Sequence, residues 1–221
     1  MDETTKTKRL MSDFETSILV GKGIDIGCGP DPVRPEALGF DQGQGDAADI
    51  LNYVQGEFDY VYSSHCLEHM PDPRKALLDW WQLVRPGGHL FLVVPDEDLY
   101  EQGVFPSRFN SDHKATFTLS KARSWSPVSF NVLDLAQSLP EGQLISLSLQ
   151  DQDYDRRLLR FGPQQPDRFT RRVLRLYRSL HKRLHLRIGM MEALAAHFSV
   201  VDQTLDAHAV AQIHCIVRKS G

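Results

Sequence analysis

The chain has 221 residues, 25 lysines and arginines against 29 aspartates and glutamates, and 41% hydrophobic content; this suits one domain with a full core and excludes a disordered chain or two full domains. Its longest apolar runs, such as Leu90 to Val94, are strand-sized, far below the ~20 residues of a membrane span, and no secretory signal is evident at the start, so a cytoplasmic protein is expected. The net charge of −4 hides a segregation: residues 156 to 187 hold ten arginines and one lysine against Asp167 alone, so that stretch carries +10 and the remainder −14.

In chain order, residues 1 to 12 are polar and read as a flexible tail. Gly23 to Gly27 reads as a short buried strand ending in a glycine turn, Ala37 to Asp41 as a second strand ending in a carboxylate, and Phe58 to Ser63 as a third. Asp72-Pro73 supplies an N-cap and a first-turn proline, so a helix runs on through Leu83; Arg85-Pro86-Gly87-Gly88 stops it before a strand at His89 to Val94. Pro127 to Ser138 reads as helix, Gln143 to Leu149 as a strand, and Ala211 to Arg218 as the closing strand. Between them Phe169, Val173, Leu176, Leu180 and Leu184 recur at helical spacing, which predicts a basic amphipathic helix over about 167 to 186 with those residues as its apolar face. Strands alternating with helices predict an α/β fold with a doubly wound, mostly parallel sheet and residues 1–221 in a single domain. Cys28, Cys66 and Cys215 form no C-x-x-C pair and are expected to be reduced thiols.

Ligands of open parallel sheets gather at the carboxyl ends of the strands. There, Gly27 and Gly29 permit a sharp turn and close backbone approach to a ligand, though a plain tight turn would use them equally well. A dinucleotide site is disfavoured, because the third glycine of G-x-G-x-x-G falls at Pro32, and residues 28 to 36, with three prolines, are too few for a crossover helix. What remains is a glycine turn beside Asp41, whose carboxylate suits the two hydroxyls of a ribose.

The ordered set Asp25-Ile-Gly-Cys-Gly29, Gly39-Phe-Asp41, Gly45-Asp-Ala-Ala-Asp49, Phe58 to His69 and Leu83 to Gly88 resembles the class I S-adenosylmethionine-dependent methyltransferases from about residue 20 to 98. Asn110 to Thr118, with Gln150 to Asp153 and the closing strand, resembles more narrowly the methyltransferases of bacterial surface-polysaccharide gene clusters. The resemblance implies a Rossmann-like seven-stranded sheet with an inserted helical cap over about 99–190, and S-adenosylmethionine as cofactor. It implies that Gly27, Cys28 and Gly29 border the methionine portion, with Asp25 ordering the loop and helping to hold the ammonium, and that Asp41 takes the ribose. Asp46 or Asp49 would meet the adenine amino group while Ala47 or Ile50 lines the ring; Ser63, Ser64 and His65 would form the floor near the methyl.

Methyl transfer to a hydroxyl needs alignment, desolvation and a proton acceptor, for which histidine suits neutral pH. His113 and His65 are the candidate catalytic residues, each also explicable as packing. His65, Glu68 and His69 echo a metal spacing, but no third ligand cluster is evident in the sequence and no metal is expected. His89 and His214, inside strands, and Trp80 and Trp81, inside a helix, read as packing; Trp125 reads as packing or as a platform for a sugar. The basic helix has three readings: a solvated cover, a binder of an anionic membrane surface, and a grip on a phosphate-bearing substrate; nucleic acid is disfavoured because few aromatics interleave the charges. The function expected is O-methylation of a sugar or glycan precursor. The rivals are a small-molecule, lipid or lipid-linked acceptor, and a catalytically inactive cofactor-binding partner protein.

Overall fold

The computed structural model describes residues 3–162, 168–184, 191, 200–206 and 208–221. Helices α1 (Glu3–Leu10) and α2 (Asp13–Ser17) lead into strands β1 (Gly23–Ile26), β2 (Leu38–Phe40) and β3 (Phe58–Ser64). Helix α3 (Pro73–Gln82) and strand β4 (Val84–Pro95) follow, then β5 (Thr116–Thr118), β6 (Ser129–Asn131), α4 (Val132–Gln137), β7 (Gly142–Gln150), α5 (Arg168–Leu184) and β8 (Gln212–Lys219). The main sheet has the order β2-β1-β3-β4-β8-β7, with β1 to β4 parallel and β8 antiparallel to both its neighbours.

Apolar residues of alternating strand positions cover both faces. Ile24, Ile26, Val61, Leu90 and Leu92 pack with Trp80 and Trp81 on one side, and Tyr60, Tyr62, Phe91, Val93 and Ile216 pack with Leu19 on the other. Trp80 and Trp81 are fully buried, and their indole N–H groups donate to the carbonyls of Ala47 and Pro140, both at 2.9 Å, so these side chains are packing residues. Asp72 caps α3 by accepting from the N–H groups of Arg74 and Lys75, as the Asp72-Pro73 pair predicts.

The structure departs from the sequence expectations in several places. The main sheet has six strands rather than seven among the described residues, and Ala47–Asn52 winds as a 3₁₀ segment capped by Asp46. Residues 3–10 are helical rather than a loose tail, because their polar side chains find partners in the body: Thr7 pairs with Gln212, Lys8 and Thr5 with Asp31, and Lys6 with the Thr204 carbonyl. The 99–190 segment is not one helical insert, since β7 joins the main sheet and α4 sends Val132, Leu135 and Ala136 into the main core; 163–167 and 185–190 lie outside the described residues. Finally, α5 buries Leu174 and Tyr177, whereas Phe169 is 76% and Leu176 65% exposed. The side chains of Leu180 and Leu184 lie outside the described residues.

Candidate active site

At the carboxyl ends of β1 and β2, Gly27 adopts φ +77° and donates its N–H to the Phe40 carbonyl at 2.8 Å, which ties the two strand tips together. A Cβ on Gly27 would stand 2.6 Å from Cβ of Cys66, so only glycine fits. Gly29, at φ +55°, faces open space, with no atom within 4 Å of where its Cβ would be, and its N–H donates to Asp41 Oδ2 at 2.7 Å. The other oxygen of Asp41 accepts from Gln42 N–H at 2.7 Å.

Asp25 is 1% exposed and sits beneath this turn. Its Oδ2 accepts from the Val33 N–H at 2.6 Å, which orders the 28–36 loop, while Oδ1 has no partner, and burial pushes the carboxyl up to about 7. The structure therefore places Asp25 behind the turn rather than in the cleft. Cys28 is buried beside Gly39, and burial raises its thiol. Ser63 donates its hydroxyl to the Ile26 carbonyl at 2.9 Å, and Ser64 is buried next to it, so both underlie the floor. The cleft above is lined by Gly27, Asp41, Ala47, His65, Cys66 and His69, with Asp112 at its rim. Asp46 faces an adjoining recess beside Gln42 and Met70, whereas Asp49 is paired with Lys75 at 2.8 Å.

The second half of the site is a cluster around Glu68. His65 leaves β3 at φ +52°, a left-handed conformation held by its N–H bond to the Val93 carbonyl at 3.0 Å. Glu68 is fully buried in the following 3₁₀ turn, Leu67–His69, and neither carboxylate oxygen has a donor in bonding geometry. The Glu68 carbonyl instead accepts from Lys114 N–H at 2.8 Å, and this backbone bond brings the loop bearing His113 over the site.

His65 Nδ1 lies 3.4 Å and His113 Nε2 4.0 Å from Glu68 Oε1. The other nitrogen of each histidine is engaged: His113 Nδ1 with Glu101 at 2.6 Å, His69 Nδ1 with Asp112 at 3.0 Å, and His65 Nε2 with Gln212 Oε1 at 2.9 Å. Burial opposes ionisation of Glu68, but the nearby histidines, His65 first, hold its carboxyl below the ordinary value.

Proton positions follow from a buried chain behind His65. Glu15 accepts from Ser12 N–H, so His214 Nδ1 donates to the other Glu15 oxygen at 2.6 Å and His214 Nε2 accepts from the Gln212 amide at 2.9 Å. The Gln212 oxygen is then left for His65, whose Nε2 carries the hydrogen. His113, stacked on Tyr100 and set edge-on to His69, does not line the cleft; His65 and His69 do. Trp125 donates to Asp98 at 3.0 Å and packs edge-on against Phe161.

Sequence reasoning missed Glu101, Asp112 and Gln212, which lie at no fixed spacing from the histidines they orient. It also missed the joining of Glu68, His69 and His113, whose potential ligand atoms all lie within 4.8 Å of one another, because His113 arrives from a distant loop.

A mostly parallel sheet whose first two strand tips meet in a glycine turn, beside a carboxylate and a histidine-lined cleft, defines a doubly wound α/β fold with its candidate site at the carboxyl ends of the strands. Residues 5–179 match the family model described as a methyltransferase domain, and the chain belongs to that family. S-adenosylmethionine is the cofactor that the resemblance of its strand-tip motifs implies. The fold is shared with a methyltransferase of Bacillus halodurans at 12% identity, covering 100% of both chains with a TM-score of 0.50. An S-adenosylmethionine-dependent methyltransferase from Archaeoglobus fulgidus shares it at 14% identity, covering 98% of this chain and 95% of that one, also at 0.50. A ubiquinone biosynthesis O-methyltransferase of Cronobacter sakazakii is 38% identical over 81 residues, 31% of this chain and 30% of its own length, so the likeness spans under a third of that relative. The cofactor suits the observed site: Gly29 opens onto empty space, and Asp41 retains lone pairs for a diol.

Proposed function

We propose that this methyltransferase acts on a hydroxyl of a sugar or glycan precursor in surface-polysaccharide assembly. The observation that carries this reading is the cleft itself, where Asp41, Gln42, His65, His69 and Asp112 offer hydrogen-bonding groups alongside the apolar Ala47 and Met70. The resemblance of residues 110–118 to glycan-cluster methyltransferases and the O-methyltransferase name of the Cronobacter relative support an oxygen acceptor. The cofactor supplies a methyl group made electrophilic by the sulfonium. In this reading Gly27, Cys28 and Gly29 border its methionine portion, with Asp25 acting through the loop it orders; Asp41 holds the ribose, and Asp46 rather than the lysine-paired Asp49 meets the adenine.

His65 holds the acceptor at the tip of β3, and the proton leaving the hydroxyl enters between His65 Nδ1 and Glu68. His113, backed by Glu101, orients that pair from behind. Methyl transfer scored by mass spectrometry on sugars and sugar nucleotides, alongside phenols and lipid-linked sugars, tests the reading. Products on sugar hydroxyls are expected; turnover of phenols alone would sink it.

One observation favours a second acceptor class, a lipid-linked sugar met at an anionic membrane surface. On α5, Phe169 and Leu176 are exposed beside exposed Arg172 and Arg175, the arrangement of an interfacial helix. The same arginines could instead grip a phosphate on the acceptor. No helix among the described residues is long and apolar enough to cross a membrane, so such an association would be peripheral. Co-sedimentation with phosphatidylglycerol and with phosphatidylcholine vesicles separates these cases, since only a membrane-binding helix pellets with the anionic vesicles.

A further inference from the structure

We propose that Glu68, His69 and His113 form a binding site for one divalent first-row transition metal ion at the acceptor end of the cleft. The inference rests on the methyl-transfer reading of this cleft for its role, but on the chain's own side chains for its existence.

Three independent features point to a cation. The first is Glu68, fully buried with both carboxylate oxygens unpartnered. An isolated buried carboxylate is costly, and the usual remedy is a hydrogen bond, a counter-charge or a metal. Here the nearest ring nitrogens stand off at 3.4 and 4.0 Å, too far to satisfy both oxygens.

The second is the direction of the imidazoles. His113 gives Nδ1 to the buried carboxylate of Glu101 at 2.6 Å and leaves Nε2 toward Glu68; His69 gives Nδ1 to Asp112 and keeps Nε2. A ring nitrogen anchored to a carboxylate while the other stays available is the outer-sphere arrangement that orients histidine ligands. His65 stands at the edge of the same space, its Nε2 held by Gln212 and its Nδ1 3.4 Å from Glu68.

The third is the spacing, since one atom from each of Glu68, His69 and His113 lies within 4.8 Å of the other two. Metal–ligand bonds of about 2.1 Å put donor atoms roughly 3 to 4 Å apart, so closure needs shifts of about 1 Å or less. Two imidazoles and one carboxylate suit zinc, iron, cobalt or manganese better than magnesium or calcium, which prefer all-oxygen shells.

An ion there takes the place of the proton assigned above to the space beside Glu68. With His65 and the cleft on its open side, it would draw an acceptor oxygen and favour its deprotonated form.

The test uses tag-free full-length protein, first stripped with a chelator and then titrated with Co2+ by equilibrium dialysis and visible absorption, without cofactor or acceptor. One equivalent of Co2+ with new d–d bands is expected. Glu68→Gln and His113→Ala should abolish both signals, and Glu101→Gln, which keeps every ligand, should weaken binding about 10- to 100-fold. Circular dichroism melts confirm that each variant is folded. Absence of saturable binding to folded protein, or equal binding by wild type and the variants, overturns the proposal. Methyl transfer measured separately in excess chelator tells this failure from failure of the methyl-transfer reading, since turnover without metal leaves the latter standing.

Discussion

The two halves of the cleft are built by opposite strategies. On the side proposed for the cofactor, Gly27, Gly29 and Asp41 lie on adjacent strand tips and are held mainly by backbone geometry: a left-handed turn, a bond from Gly27 to Phe40, and one from Gly29 to Asp41. On the side proposed for the acceptor, His65, Glu68, His69 and His113 are held by side chains drawn from far along the chain, namely Glu101, Asp112 and Gln212. The first half can be read from a few contiguous residues because the constraint on each is local. The second depends on tertiary hydrogen bonds, so its chemistry can change without disturbing the cofactor seat.

The largest expected effect tests that separation. His65→Asn tolerates the positive φ but removes the imidazole. It should lower kcat by about 10²- to 10⁴-fold, the range for losing an acid–base group, while leaving calorimetric affinity for S-adenosylmethionine within about threefold. A parallel collapse of cofactor binding would mean that the halves are one unit.

Next in size is the buried carboxyl under the glycine turn. Asp25 titrates at about 7 in the folded protein and at an ordinary carboxylate value, 3.8, when unfolded. Between these values the folded state binds more protons, so this group's contribution to stability is present at low pH and declines as pH rises through the window, by on the order of 4 kcal/mol. Asp25→Asn should flatten that decline: relative to wild type it should be more stable at pH 8 than at pH 5 in denaturant melts. Since Asp25 orders the 28–36 loop through Val33, the variant also shows how far the cofactor half relies on a side chain. An unchanged pH profile would show that Asp25 does not titrate in this window.

Asp41→Ala is expected to act more weakly but more selectively. If Asp41 holds the ribose as proposed, losing its carboxylate costs about 1.5 to 3 kcal/mol, or roughly 10- to 100-fold in cofactor affinity by calorimetry. The sequence pointed to this residue because a carboxylate at the end of a second strand, beside a glycine turn, suits the two hydroxyls of a ribose. Five of the six main strands, β1, β2, β3, β7 and β8, were legible to within a few residues for the same local reason, hydrophobic runs bounded by turn residues. β4 was recognised but cut short, because Pro86, Gly87 and Gly88 read as a stop, whereas the strand continues back to Val84 by way of a register irregularity. β6 was folded into a predicted helix because Pro127 mimics a helix start, while Ser129 in fact donates to the buried Glu97. No periodicity in the sequence announces a bond from a serine to a carboxylate 32 residues away.

The smallest expected effect concerns the basic helix, where charge and hydrophobic spacing were legible but orientation was not. The spacing of Phe169, Val173 and Leu176 defines a stripe, yet the structure buries Leu174 and Tyr177 along its edge and leaves Leu176 65% exposed. Leu176→Ser should therefore shift stability by no more than about 0.5 kcal/mol, as for other exposed positions; the same change at Leu174 should cost several times more. If Leu176→Ser also lowers recovery with phosphatidylglycerol vesicles, the exposed stripe is a surface for lipid. A large loss of stability at Leu176 would instead mean that the stripe packs against the body in solution, and α5 would then belong with the histidine cluster as a part of the molecule whose orientation is set by distant contacts rather than by its own pattern.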